Sequence, residues 1–160
     1  MQWSKITDII LIAALAVFAV FAILGLCQWI KRKSLKKVDK PLLLSLIPLS
    51  LMAATFIIFE KFLVLNTRPN GSGEPSFPST HAMVVATIFL LTAIILPNYI
   101  KSKTARVIMD IVMLLFIILV SVGRVLANMH WVSDVLGGLG FAAIFAAIYY
   151  FVTKQRIKNE

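Results

Sequence analysis

The stretch KFLVLNTRPNGSGEPSFPSTH, residues 61–81, places polar and cationic groups between two long apolar runs. It begins with Lys61, carries Arg68 seven positions later, and ends in Pro78-Ser79-Thr80-His81, where the next apolar run starts. Ionisable groups beside a bilayer are energetically costly, and they mark functional sites. We interpret this stretch as an anion site at the N-terminus of a helix.

The composition indicates an integral membrane protein. Of the 160 residues, 60% are hydrophobic and 14% are charged, and the apolar runs are close to the roughly 20 residues that a spanning helix needs. The sequence predicts an all-α, polytopic membrane helix bundle with about five transmembrane helices. A single domain over residues 1–160 is expected, because neither an internal repeat nor a long linker divides the chain. The five runs are about Asp8–Ile30, Pro41–Leu65, Ala82–Ile100, Ala105–Val122 and Val132–Phe151.

The basic residues predict the orientation in the membrane. The net charge is +9, but most of the cations lie in three clusters next to the apolar runs, so nucleic acid is not an expected partner. Such clusters belong on the cytoplasmic side. The C-terminus is then cytoplasmic, and the N-terminus, the loop 66–80 and the connection 123–131 face outside. The clusters are Lys31, Arg32, Lys33, Lys36, Lys37 and Lys40, then Lys101, Lys103 and Arg106, then Lys154, Arg156 and Lys158.

Three other cations, Lys61, Arg68 and Arg124, lie near helix ends that face outside in this topology. One cation at such a position can extend its charged group to lipid headgroups, but three on one side favour a bound anion. Lys61 and Arg68 are about two helical turns apart, so a continuing helix would place both on nearly the same face. Pro69 would then end that helix, because it disfavours the helical conformation of the preceding residue.

The segment before His81 predicts a phosphate site. Asn70–Pro75 is rich in turn formers, and its simplest interpretation is a flexible extracellular loop. Ser79 or Thr80 can serve as the N-cap of the following helix and leave several backbone N–H groups free. Free amides, a helix dipole and nearby cations together favour a phosphate group.

A second constellation begins the last apolar run. His130 and Asp134 are four positions apart, so within a helical turn the carboxylate would reach one imidazole nitrogen and fix the tautomer. The other nitrogen would be free to attack or to accept a proton. His81 has no carboxylate at helical spacing. The first apolar run carries no charged residue between Asp8 and Lys31, and we expect it to pack without contributing chemistry.

These blocks resemble the three-part signature of the type-2 phosphatidic acid phosphatase family. The matching residues are Lys61, which six residues separate from Arg68-Pro69, then Pro78-Ser79-Thr80-His81, then Arg124, which five residues separate from His130, with three more residues between His130 and Asp134. The resemblance implies hydrolysis of a phosphate ester or diphosphate through a phosphohistidine, without a metal or other cofactor.

The resemblance also implies a role for each matched residue. His130 corresponds to the nucleophile, Asp134 to its orienting carboxylate, and His81 to the acid that protonates the leaving oxygen. The phosphoryl oxygens would be held by Lys61, Arg68, Arg124, Ser79 and the backbone amides of Thr80 and His81.

The chain departs from the family pattern in three places. Thr80 stands where the family usually has glycine, and Gly123 stands where it usually has serine. Membrane-bound members usually have six spans, so one N-terminal helix is expected to be absent. These departures leave the nucleophile and the acid in place.

We therefore expect a multi-pass lipid phosphatase of the cell membrane whose site faces outside. Undecaprenyl diphosphate is the first choice of substrate, and phosphatidylglycerophosphate and phosphatidic acid are the alternatives. A different class, a non-catalytic lipid-phosphate binder or transporter component, would use the cations but not the histidines. A haloperoxidase-like activity shares the signature but is disfavoured by the spans. The expected partners are the lipid substrate and the bilayer, and a homo-oligomer is compatible with the pattern.

Overall fold

The computed structural model describes residues 2–158, with side chains up to residue 155. Five helical segments are long and apolar enough to cross a membrane, which confirms the predicted all-α membrane bundle. Arg156 and Lys158, part of the predicted C-terminal basic cluster, have side chains outside the described residues. The helices are α1 (Gln2–Arg32), α2 (Lys40–Leu44), α3 (Leu46–Lys61), α4 (Thr80–Ile95), α5 (Lys103–Leu126) and α6 (Val132–Lys158), of which α2 and α3 together form one span.

Helix α4 is the centre of the bundle. Other parts of the protein bury 61% of its apolar segment, compared with 33% for α6 and 11% for each of the other three spans. It packs most extensively on α6, and next on α5 and α1. Its uniformly apolar surface fits this position, since a helix surrounded by others has no polar face. The main core consists of Ile10, Ala14, Val85, Ile88, Phe89, Leu96, Met113 and Val120.

A glycine permits the close approach of α4 and α6. A Cβ atom at Gly138 would lie 2.7 Å from the carbonyl oxygen of Ser79 and 3.2 Å from the backbone nitrogen of Met83. At the same crossing, the N–H of Ser79 donates to the carbonyl oxygen of Asp134 at 2.9 Å. Small residues allow helix backbones to approach in this way within membranes. The N-terminal ends of α4 and α6 are therefore fixed next to each other.

The opposite end of the bundle contains a polar network around Asp39. Its carboxylate accepts hydrogen bonds from Gln28 at 2.7 Å and from the Tyr99 hydroxyl at 3.0 Å, and it pairs with Arg32 at 3.1 Å. The basic cluster after α1 and the connection before α5 therefore lie at the same end, as the predicted topology requires.

The segment after α3 differs from the prediction. The helix ends at Lys61, so Lys61 and Arg68 do not share the face of one continuing helix. The chain instead forms an ordered hairpin, in which the Arg68 N–H donates to Glu74 O at 3.0 Å and the Ser76 N–H donates to Asn66 O at 2.9 Å. These pairings use backbone groups that a longer helix would have bonded internally.

The packing at Gly138 gives a test of the fold. Gly138→Ala should lower the free energy of unfolding by about 1–3 kcal/mol, because the added methyl group overpacks the contact with Ser79. Thermal unfolding of the purified protein in detergent measures this change.

Gly140→Ala is the matched control, since a Cβ atom at that position has open space around it. It should leave the unfolding temperature unchanged or raise it, because alanine is the better helix former. Equal unfolding temperatures for the two variants would contradict this account of the α4–α6 contact.

Candidate active site

A cavity of ≈ 340 Å³ lies at the end of the bundle where α4 begins. Its wall includes Arg68, Thr80, His81, Arg124 and His130, so the structure brings together five of the eight predicted site residues. Apolar side chains from three helices line the remainder. These are Leu11 and Leu15 of α1, Phe56 of α3 and Val84 of α4, beside Glu60, Pro75, Ser76, Phe77 and Pro78.

The other three predicted residues do not line this cavity. Ser79 and Asp134 are fully buried behind its wall. The Ser79 hydroxyl has no hydrogen-bond partner within residues 2–155, and its N–H is already bonded to Asp134. Lys61 is exposed at the end of α3, and its neighbour Glu60 lines the cavity instead. Adjacent residues on a helix point about 100° apart, so both cannot face the cavity.

The imidazole of His130 is oriented by a backbone carbonyl. Its Nδ1 lies 2.8 Å from the carbonyl oxygen of Ser76, and because a carbonyl oxygen only accepts, Nδ1 of the neutral ring must carry the proton. The nearest Asp134 oxygen is 4.0 Å away, too far for a hydrogen bond. The predicted direct contact with Asp134 was wrong, because His130 precedes α6 and the two residues do not share a helical turn.

Ser76 links Asp134 to His130 by hydrogen bonds. Its carboxylate accepts a hydrogen bond from the Ser76 hydroxyl, from the Trp131 N–H at 2.9 Å and from the Asn66 amide at 3.3 Å. These bonds hold the hairpin against the start of α6, and they place the Ser76 carbonyl beside the ring. Sequence reasoning missed Ser76, since a serine in a turn-rich segment carries no distinguishing signal.

The surroundings of His130 keep its ring neutral. Burial lowers the pKa of His130 to about 4, and the nearby Arg124 cation acts in the same direction. A desolvated imidazole beside cations is disfavoured in its charged form. With the proton on Nδ1, the lone pair is on Nε2, and the ring is available at neutral pH as a nucleophile.

Two arginines supply the positive charge of the cavity. Arg68 extends from the hairpin and pairs with Glu74 at 2.7 Å. Arg124, near the end of α5, is buried, and its Nη1 lies 3.5 Å from the Thr7 hydroxyl. Its Nε has no partner among residues 2–155. A buried donor without a partner is costly unless a ligand satisfies it, which suits an anion in this cavity.

His81 has a carboxylate partner that sequence reasoning missed. Its Nε2 lies 2.9 Å from Oδ1 of Asp8, and Arg124 Nη1 lies 3.6 Å from the same oxygen. The first helix, which was expected only to pack, therefore places a carboxylate in contact with a predicted site residue. Asp8 is 73 positions from His81 in the chain, and only the packing of α1 against α4 and α5 brings them together.

Gly123 accounts for one departure from the family pattern. A Cβ atom at this position would lie 2.6 Å from Cγ2 of Thr7 and 3.4 Å from the ring of Trp3. A serine here would require the Thr7 side chain or α1 itself to shift. The glycine therefore permits the close contact that places Asp8 at the site.

The described residues place positive charges and helix N–H groups around the cavity. Within residues 2–155 no group of three or more His, Cys, Asp or Glu side chains is arranged to hold a metal ion. The cavity combines two guanidinium groups, the free N–H groups that begin α4, and two imidazoles. Guanidinium groups and helix N-termini both favour phosphate.

Comparisons with known proteins identify the family and the fold. The family model of the PAP2 superfamily matches residues 56–158. A solved structure with the same fold is the crystal structure of a transmembrane PAP2-type phosphatidylglycerolphosphate phosphatase from Bacillus subtilis. The TM-score is 0.72 at 19% sequence identity, over 96% of this chain and 76% of that chain. Among curated proteins no match is found.

The neutral state of His130 is directly measurable. The chain has two histidines, so His81→Gln leaves His130 as the single imidazole and keeps an amide that can bond to Asp8. Titration of the ¹⁵N-labelled ring by NMR in detergent should give a midpoint near pH 4, because burial and Arg124 disfavour the imidazolium. A midpoint close to the ordinary value of about 6.5 would contradict the described environment.

Proposed function

This chain belongs to the PAP2 superfamily, and we propose that it is a membrane phosphatase that hydrolyses a lipid phosphate or diphosphate through a phosphohistidine on His130. One observation carries the proposal: a single cavity holds a neutral imidazole, a second imidazole with a carboxylate partner, and two arginines. This arrangement provides a nucleophile, an acid and charge stabilisation for phosphoryl transfer.

In the first step, the lone pair on Nε2 of His130 attacks phosphorus, and the bond from phosphorus to the leaving oxygen breaks. Protonated His81 gives its proton to that oxygen. The leaving group is then the lipid alcohol for a monophosphate substrate, or the lipid monophosphate for a diphosphate substrate. The Ser76 carbonyl accepts the Nδ1–H of His130 throughout, which supports the positive charge that the ring gains.

In the second step, a water oxygen attacks the phosphorus of phosphohistidine and the N–P bond breaks. Neutral His81 accepts a proton from that water, which returns both imidazoles to their starting states. The products are inorganic phosphate and the free enzyme. The same residue serves as acid and then as base, as the reversed direction of proton transfer requires.

The phosphoryl oxygens would be held by Arg68, Arg124 and the N–H groups that begin α4. Fixed cations that face the transferring group lower the barrier, because little reorganisation is needed during reaction. We assign the exposed Lys61 to the rim of the site, where its flexible stem can reach a headgroup or a second phosphate. We assign the Ser79 hydroxyl, which is buried behind the cavity wall, to a supporting role for these phosphate-binding groups. These cations and donors make catalysis without a divalent metal the expected mode.

We further propose that the site faces outside and the C-terminus is cytoplasmic. The two internal basic clusters lie at the end opposite the cavity, and positive clusters mark the cytoplasmic end of a bundle. A lipid phosphate at the outer headgroup level could enter beside the apolar side chains of α1, α3 and α4 that line the cavity.

Undecaprenyl diphosphate is the first substrate proposed, because it is a carrier-lipid product released on the outer face. Phosphatidylglycerophosphate is the second candidate, since the fold is shared with a phosphatase for that lipid. Phosphatidic acid is the third. Apolar helix faces accept a prenyl chain and an acyl chain alike, because hydrophobic pockets discriminate weakly.

A non-catalytic lipid-phosphate binder is the alternative of another class. Such a protein would need the arginines but would gain nothing from a neutral imidazole whose Nε2 lone pair is available beside them. Turnover decides between the two.

A panel of lipid phosphates tests the substrate class. Purified protein in detergent, assayed with EDTA present throughout, should release inorganic phosphate from at least one of undecaprenyl diphosphate, phosphatidylglycerophosphate and phosphatidic acid. The arginines and helix amides supply the charge that a metal would otherwise supply. Activity that disappears in EDTA and returns with Mg²⁺ or Zn²⁺ would contradict charge stabilisation by the arginines and helix amides alone. Binding of a lipid phosphate without turnover would support the non-catalytic binder.

The two histidines should have separable roles. His130→Ala should abolish phosphoenzyme for every substrate, because the attacking nitrogen is lost. His81→Ala should lower turnover of a lipid phosphate by about 100-fold or more, and an activated aryl phosphate should partly rescue it, because its leaving group needs little protonation. Rapid-quench trapping of acid-labile phosphoenzyme measures both. A normal phosphohistidine level in His130→Ala would show that the roles are reversed.

A further inference from the structure

The proposed chemistry requires the two histidines to start in opposite protonation states. His130 must be neutral to attack, and His81 must be protonated to release the leaving group. The two rings have different partners. His130 bonds to a neutral carbonyl, with the nearest carboxylate oxygen 4.0 Å away, whereas His81 lies 2.9 Å from the carboxylate of Asp8.

We propose that Asp8 is a positioning residue for the acid: its carboxylate holds the His81 ring by Nε2 and stabilises the protonated imidazole, so that α1 is a part of the active site. This inference rests on the proposed function, because it assigns Asp8 a role in that reaction. It concerns a residue outside the region that matches the family model, residues 56–158.

The charges around His81 show why a carboxylate is needed there. Arg124 of α5, Arg68 of the hairpin and His130 of the last connection line the same cavity, as does Glu60 of α3. The two guanidinium groups oppose a positive charge on His81, and the attraction of an anion falls with distance. Asp8 is the carboxylate in direct contact with the ring, so it offsets the arginines where the proton is held.

The contact also decides which nitrogen exchanges the proton. A carboxylate accepts from N–H, so Asp8 keeps the proton on Nε2 of His81. Nδ1 is then the nitrogen that gives a proton to the leaving oxygen and later takes one from water. One oxygen of Asp8 is shared by His81 and Arg124, which links the acid to the cation that holds the phosphoryl group.

The structure fixes Asp8 in this place through its neighbour on α1. Thr7 is fully buried, its hydroxyl donates to Ser4 O at 2.8 Å, and its methyl group packs over Gly123. Leu11, one turn beyond Asp8, lines the cavity. The side chain of Asp8 is half exposed, so a substitution there perturbs the packing less than one at Thr7.

The test is Asp8→Asn, which removes the charge and keeps the shape. Turnover of a lipid phosphate accepted by the wild type should fall by about 10- to 100-fold, whereas p-nitrophenyl phosphate should react within about threefold of the wild-type rate. The alkaline limb of kcat/KM for the lipid substrate should move to lower pH by about one to two units, because the proton on His81 is held less strongly.

Two further variants separate a specific role from a structural one. Glu60→Gln removes a carboxylate from the cavity wall without touching His81, so it should change both substrates alike and leave the alkaline limb in place. Asp8→Glu keeps the negative charge, so the alkaline limb of kcat/KM should lie close to its wild-type pH. Asp8→Ala serves as a second uncharged variant if Asp8→Asn does not fold.

The outcomes are distinguishable. Equal losses on both substrates, or an unmoved alkaline limb in the uncharged variants, would overturn the role of Asp8 while the wild type still turns over. Lack of turnover and of phosphohistidine in the wild type would instead overturn the proposed function itself. Formation of phosphoenzyme from p-nitrophenyl phosphate in Asp8→Asn shows that the variant is folded.

Discussion

One backbone hydrogen bond joins the two halves of the site. The Ser79 N–H donates to the carbonyl oxygen of Asp134, where Gly138 lets α4 and α6 approach closely. It fixes the N-terminus of α4, with its free amides and His81, beside the segment that carries His130. The Asp134 side chain can then reach Ser76 and hold the hairpin. The proposed anion-binding residues and the proposed nucleophile are thus held together by the contact between α4 and α6.

The two histidines of the cavity differ in how close each lies to a carboxylate. Two arginines that attract a phosphate also oppose the charge of any imidazole beside them. In the proposed mechanism His130 benefits from this effect, because it must be neutral to attack, and its nearest carboxylate is bound to Ser76 instead. His81, the proposed acid, needs a compensating negative charge, and Asp8 lies against it. A carboxylate in direct contact with His130 would favour the charged ring more than the Ser76 carbonyl does, so the different partners suit the different roles proposed for the two histidines.

The sequence predicted the spans and most of the cavity, because apolar runs and motif spacing are local signals. Arg68, His81, Arg124 and His130 meet as expected. The failures share a physical cause: hydrogen bonds between distant segments overrode local patterns. The chain forms a hairpin instead of extending α3 to Arg68, and α6 begins only at Val132, so His130 lies outside the helical turn that holds Asp134.

Asp8 illustrates a second limit of sequence reasoning. A single carboxylate near the end of an apolar run has no pattern to distinguish it from an interfacial residue. Its role depends on a glycine at position 123 that lets Thr7 pack closely. The same glycine looked like the loss of a hydroxyl when only the motif was considered, and its meaning emerges only from the packing of α1.

The central claim is that His130 attacks phosphorus while His81 faces the leaving oxygen. A structure with orthovanadate, which adopts the five-coordinate geometry of the transition state, tests this most directly. The account predicts a bond from vanadium to Nε2 of His130, equatorial oxygens on Arg68 and Arg124, and the opposite apical oxygen within hydrogen-bond distance of His81. Vanadium bonded to His81, or bound in the cavity with His130 uninvolved, would contradict it.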